Sequence, residues 1–231
     1  MVRRIVGFTA ATLCLAAALA VAAPCTSVAA DTADPYRYLG ALAEALGHAK
    51  TACDRLDAAD AEGAAPSAAR VAAIEAAKDD YECAAALVAA YPKSASDDIA
   101  RSAESASSAL TQLAAAAIVD LSHARRVLEG KRANVAPEGS ALAATRDRAL
   151  GLLLSAAMGA PYCVIRQNPE TKQMSQLLLT RPERDDVVAK LETAFGPGIA
   201  LGLTDGQPPL VAAAAYLYQV IVGPTYELAA E

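Results

Sequence analysis

Tryptophan is absent from this 231-residue chain, and phenylalanine occurs only at Phe8 and Phe195. A core without large aromatics has to be assembled from Leu, Val, Ile and eight tyrosines, so it buries little apolar area per side chain. Histidine is as scarce, at His48 and His123 alone; neither falls in a Cys/His spacing of the structural-zinc kind, and no HExxH occurs. The chain also lacks a P-loop, a GxGxxG, a GxSxG and an EF-hand loop. That removes the sequence signatures of phosphate cradling, dinucleotide binding, acyl transfer and calcium coordination. Gly196-Pro197-Gly198 is too short to cradle a phosphate and reads as a helix stop. No basic cluster exceeds two adjacent residues, and the formal net charge is −6, which argues against nucleic acid as a partner.

What is present begins at the N-terminus. Arg3 and Arg4 precede a nearly uninterrupted apolar run over residues 5–23, and Val28-Ala29-Ala30 supplies a small-residue cleavage pattern. The expectation is a secretory signal peptide over residues 1–30 with Asp31 as the mature N-terminus. Pro24 before Cys25 departs from the small residue of lipoprotein processing sites, so a lipid anchor is not expected. An exported protein of the periplasm or extracellular space follows, with no stable membrane anchor after cleavage and with cysteines free to oxidise. The mature chain would carry 18 basic against 26 acidic residues, a net charge of −8.

Sixty alanines make alanine the dominant residue. Alanine is the strongest helix former and permits close helix contacts. Periodicity carries the same message. Asp34-Pro35 reads as a cap and first-turn proline, followed by Leu39, Leu42, Leu46, Ala49, Cys53 and Leu56 at alternating spacings of 3 and 4. A second helix opens at Pro66-Ser67, carries Ile74, Ala77, Tyr81, Ala84, Val88 and Tyr91, and stops at Pro92. Ser96-Asp97-Asp98 starts a third of about 34 residues, bearing Ile99, Ala103, Ala106, Leu110, Leu113, Ala117, Leu121, Ala124 and Leu128. The serines over 102–108 lower its helix propensity and leave room for a kink or break there. A fourth helix spans 140–158, and 162–166 is a short apolar piece of undetermined type. Two shorter helices are expected over 169–180 and 182–195, and a last over 210–222, stopped by Gly223-Pro224.

The fold class expected is all-α: an antiparallel four-helix section over about 34–160, with a smaller helical set over about 161–228 packed on it. Residues 31–231 are expected to form one domain.

Mature cysteines are Cys53, Cys83 and Cys163. In a hairpin turning over residues 62–67, Cys53 and Cys83 are offset by seven residues, about 10 Å along the axis, beyond disulfide reach without a stagger. Cys83–Cys163 is therefore the first expectation for a disulfide and Cys53–Cys83 the second.

Polar candidates are sparse. Asp120 and His123 lie three apart on helix three and could pair as a carboxylate-oriented imidazole; a solvated pair is the plainer reading. His48 beside Lys50 reads as surface. Asp79-Asp80-Glu82 reads as a solvated face, and Glu183-Asp185-Asp186 as a helix N-terminus. Tyr162, Tyr216, Tyr218 and Tyr226 could rim an apolar pocket, although core placement is commoner. No cofactor, metal site or catalytic residue is assigned.

These observations lead to an exported, non-enzymatic helical protein acting on an envelope protein partner, in the manner of an inhibitor or immunity protein. The alternatives are a carrier of a small apolar ligand held between the helical sections, and an enzyme using Asp120 and His123.

Overall fold

Helices dominate the computed structural model, which describes residues 32–61, 67–131, 140–161, 163–167, 172, 174–201 and 207–228. Among the described residues they are α1 (Pro35–Ala61), α2 (Ala68–Val88), α3 (Asp97–Leu128), α4 (Ala141–Met158), α5 (Arg181–Phe195) and α6 (Pro209–Leu228). The chain is all-α in class. The expected signal peptide, with Cys14 and Cys25, lies outside the described residues.

Local chemistry sets the helix ends. Asp34 accepts a hydrogen bond from the Tyr36 N–H at 3.0 Å. Ser67 accepts from Arg70 N at 3.1 Å and Ser140 from Ala143 N at 3.2 Å, each a side-chain N-cap. Thr180 N donates to the Glu183 carboxylate at 2.7 Å, closing a capping box. Helix α2 ends at Val88, about one turn before its expected end, and a 3-10 turn follows at Tyr91–Lys93. The serine-rich part of α3 does not break it: the helix is continuous from Asp97 to Leu128, Ser105 bonds back to Arg101 O, and Ser102 faces inward to a tertiary partner.

Cross-helix bonds give the directions. Asp60 meets Arg70, Arg55 meets Asp80 and His48 meets Cys83, so α2 runs antiparallel to α1. Ser102 meets Ala156 and Asp120 meets Ala141, so α4 runs antiparallel to α3. In contrast α5 runs parallel to α1, since Tyr36 meets Asp186 and Glu44 meets Lys190. Helix α6 packs on α4 and also reaches α1 and α5.

The core is the leucine, isoleucine and alanine seam read from the sequence: Leu39, Leu42 and Leu46 of α1, Ile74 and Tyr81 of α2, and Ile99, Leu110 and Leu113 of α3 are buried. Leu153 of α4, Leu191 of α5, and Leu217 and Ile221 of α6 complete it. One seam residue departs: Leu128 is 46% exposed at the end of α3, beside exposed Val127.

Two element assignments need correction. The expected helix over 169–180 is replaced by an antiparallel hairpin in which β1 (Cys163–Gln167) pairs with β2 (Met174–Leu178), Cys163 opposite Leu178. Lys172 has φ 58°, a left-handed conformation that interrupts any right-handed helix through this stretch. The β-branched pair Val164-Ile165 favours a strand. The second correction concerns α6, which continues through Gly223-Pro224 to Leu228. An interior proline costs a helix about 3 kcal/mol. Burial of Leu210, Leu217 and Ile221 offsets that at roughly 1.5–3 kcal/mol each. Among the described residues no helix is long and apolar enough to cross a membrane.

The buried hydroxyls make alkaline stability a first expected outcome. Burial pushes the Tyr38 and Tyr81 phenols well above their ordinary value, and moves Tyr91 and the Cys53 thiol the same way. In the unfolded chain these groups ionise at ordinary values, about 9 for the thiol and 10 for the phenols, while the fold retains their protons. Above that range the unfolded state binds fewer protons, so stability present at neutral pH is lost as pH rises. Urea midpoints should fall steadily from about pH 9 upward. A midpoint at pH 11 equal to that at pH 8 would contradict the burial of these groups.

Candidate functional site

Helices α1 and α5 face each other across an open groove of about 510 Å³. Small residues make the groove: Ala43 and Gly47 on α1, Ala189 and Ala194 on α5. Gly47 suits the close approach of the two helices, because a Cβ there would sit 3.1 Å from the Ala194 methyl, tighter than ordinary van der Waals contact. Charges and hydroxyls occupy the rim. Lys190 bridges Glu44 at 2.8 Å and Asp186 at 3.2 Å, and Asp186 also accepts from the Tyr36 hydroxyl at 3.0 Å. Partial burial opposes the Lys190 charge, but the two carboxylates outweigh it and hold the ammonium above its ordinary value. Thr51 and Thr193 are exposed at the rim, each bonded back to its own helix through Gly47 O and Ala189 O.

His48 lines the same groove and turns its ring toward α2. Nε2 lies 3.3 Å from Cys83 Sγ, and Nδ1 lies 3.4 Å from Asp80 Oδ1. The other Asp80 oxygen pairs with Arg55. A sulfur, an imidazole, a carboxylate and a guanidinium thus form one connected line from the groove wall to the α1–α2 seam. His48 is 37% exposed and Asp80 15%. The line is open at its imidazole and sheltered at its carboxylate.

Several sequence assignments change here. Asp80 is not a solvated acid, unlike Asp79 and Glu82, which are exposed partners of Lys78. His48 is not bland surface. Asp186 is committed to Tyr36 and Lys190 rather than serving only a helix end. The Cys53–Cys83 alternative is not made: Cys53 is a free, buried thiol, 3.4 Å from the Tyr81 hydroxyl, whereas Cys83 stands level with His48. The first-choice partner Cys163 lies on β1, and its side chain is outside the described residues.

Asp120 and His123 are not brought together. Asp120 is buried and reaches α4, where Ser140 Oγ, Ala141 N at 2.7 Å and Leu142 N at 3.0 Å all donate to its carboxylate. It is a tertiary cap for the first turn of α4, and no bond joins it to His123 among the described residues. Beside it lies a small cavity of about 80 Å³ lined by Leu56, Ile74, Tyr81, Arg70 and Arg146. Arg146 closes one side with a two-pronged bond to Asp57 at 2.6 and 2.9 Å, which holds the Asp57 carboxyl below its ordinary range. Tyr216 and Tyr218 pack partly buried against the core, while Tyr162 and the Tyr226 side chain lie outside the described residues. Among the described residues no group of three His, Cys, Asp or Glu is placed to hold a metal ion.

No protein-family model, curated protein or solved structure matches this chain. The functional reading therefore rests on the groove and on the line of polar groups behind it.

Proposed function

We propose that this chain is an exported, non-enzymatic binding protein that takes a segment of an envelope protein partner into the α1/α5 groove, in the manner of an inhibitor or immunity protein. The observation that carries this reading is the groove itself: small residues at its base, with Glu44, Asp186, Lys190 and two threonines on its rim. Such a lining offers a peptide segment shape at the centre and paired charges at the edge, the usual division between contact and specificity. Two carboxylates and an ammonium suit a polar segment better than an apolar ligand. The basic n-region, apolar run and cleavage pattern over residues 1–30 support export.

The same reading includes a Cys83–Cys163 disulfide. It is supported by the oxidising destination proposed here and by the buried, free state of Cys53, which makes Cys83 and Cys163 the remaining candidates of the mature chain.

The test is capture of a partner by groove variants. Gly47→Leu fills the base of the groove, and Thr51→Arg projects from an exposed rim position that bears no core contact. The unaltered protein should recover a stoichiometric partner from envelope extract, and both variants should lose at least tenfold in recovery while Thr51→Arg retains the native unfolding midpoint. Recovery unchanged by both variants, or no partner at all, would overturn the reading. N-terminal sequencing of the exported chain should begin at Asp31.

A further inference from the structure

We propose that the outward face of α3 is a self-association surface, on which a second copy of this chain packs its own α3 antiparallel about a two-fold axis at Ala115. One face of α3, running from Arg101 through Ser108, Ala115 and Ser122 to Glu129, is open to solvent along its whole length. Ile118 and Val119 flank its midpoint at 50% and 51% exposure. Over residues 105–124 the one Asp, Glu, Lys or Arg is Asp120, which is buried against α4. A helix face meant only for water carries charges throughout; here they stand at the two ends. None of the residues lining the α1/α5 groove belongs to α3, so this surface is separate from the one proposed for the partner.

The order of charge is its own complement when reversed about Ala115. Glu104 and Arg126 lie eleven residues on either side of it, and Arg101 and Glu129 fourteen. In an antiparallel pair centred there, Glu104 of one copy stands level with Arg126 of the other, about 16 Å from the axis. Arg101 stands level with Glu129 of the other copy at about 21 Å, and symmetry makes each pair twice. At 100° per residue these four side chains project within about 40° of the direction of Ala115, and Ser108 and Ser122 within about 20°. The residues nearest the crossing are therefore small and let the two backbones approach. A parallel pair would set Glu104 against Glu104 and Arg126 against Arg126, so the charge order selects the antiparallel sense. Glu104 and Arg126 are both exposed and form no ion pair among the described residues. Arg101 and Glu129 pair with the exposed neighbours Asp98 and Lys131, local contacts that contribute little in water and exchange readily.

Val119 comes level with Thr111 of the second copy and Ile118 with Gln112. The exposed aliphatic groups are thus covered at the centre while opposite charges meet at the ends, as in specific interfaces with a desolvated core and a polar rim. A contact of one helix pair falls near the lower end of such interfaces, about 1,200 Å² in total. The expected dimer is reversible, with a dissociation constant on the order of 10 μM.

The test is sedimentation equilibrium of the full exported protein from about 1 to about 500 μM in about 50 mM salt, where exposed charges are weakly screened. Ala115→Arg puts like charges at the axis and should weaken the dimer at least about tenfold. Glu104→Arg alone and Arg126→Glu alone should each weaken it about fivefold or more. The double variant should return to within about twofold of the unaltered protein, because the pairing is restored with its signs exchanged. All three positions are exposed, so native unfolding midpoints are expected throughout, checked by circular dichroism. A monomer at every concentration would overturn the proposal, as would a dimer indifferent to Ala115→Arg. A double variant as weak as its two singles would overturn the antiparallel pairing. Partner capture is read at Gly47 and Thr51, on another helix, so the two failures are separable.

Discussion

Replacing Tyr38 with alanine is expected to lower the unfolding free energy by about 4 kcal/mol, and with phenylalanine by about 1 kcal/mol. Tyr38 is fully buried where three helices and a 3-10 turn converge. Its ring packs at 5.2 Å, tilted, against that of Tyr91, in a protein without tryptophan. Truncation would leave a cavity that alanine-rich neighbours have no side-chain volume to fill, which places the cost toward the upper part of the usual range. The hydroxyl does a different job. It donates to Ser102 Oγ at 2.5 Å, and Ser102 donates in turn to Ala156 O at 2.6 Å, so one buried chain of bonds ties α1, α3 and α4 together. Ser102→Ala should cost about 2 kcal/mol because it strands both the phenol and the carbonyl. The pair with Tyr38→Phe should then fall short of the sum of the single losses. Urea unfolding followed by circular dichroism reads all four values. A loss under 1 kcal/mol for Tyr38→Ala would show that this junction does not hold the bundle.

The helices were legible because period, caps and stops agreed. Leu39 to Cys53 in α1 and Ile99 to Ala124 in α3 keep one face at spacings of 3 and 4, and Ser67, Ser140 and Thr180 stand where caps belong. Where local signals conflicted with burial, burial won, as in α6, which runs through its glycine and proline. The hairpin was misread because Pro169 resembles a first-turn proline and the left-handed backbone at Lys172 has no side-chain signature. A lysine gives no warning of positive φ.

The candidate site was half legible. Reflecting His48 through the centre of the loop at 62–67 lands on position 81, two residues short of Cys83, so antiparallel pairing alone brings the two to nearly the same level. That reflection was available from the helix assignments and needed only to be applied to the polar residues as well as to the seam. The groove was not legible, since the parallel docking of α5 on α1 depends on the chain's return through a strand pair rather than a helix. Gly47 is the one local hint, a glycine within a strong helix whose purpose appears only when Ala194 is seen against it.

Asp120→Ala is expected to destabilise the protein by about 3 kcal/mol, although nothing in its local sequence marks it as structural. An N-terminal helix turn carries unpaired N–H groups and the positive end of the macrodipole, and both call for a carboxylate. Ser140 supplies a local cap to Ala143 N, which leaves Ala141 N and Leu142 N; Asp120 takes both, and the Ser140 hydroxyl besides. The donors come from α4 and the acceptor from α3, so the bond set fixes one helix against the other as well as capping it. Alanine would leave two N–H groups without a partner at a position beside the polar cavity of Tyr81 and Arg146. Asparagine keeps one acceptor oxygen and should recover roughly half the loss. His123→Ala should change stability by less than 0.5 kcal/mol, about the scale of surface substitutions. An Asp120→Ala loss no larger than that of His123→Ala would reverse the assignment. The residue would then have to be reconsidered as one kept for chemistry rather than for holding α4 in place.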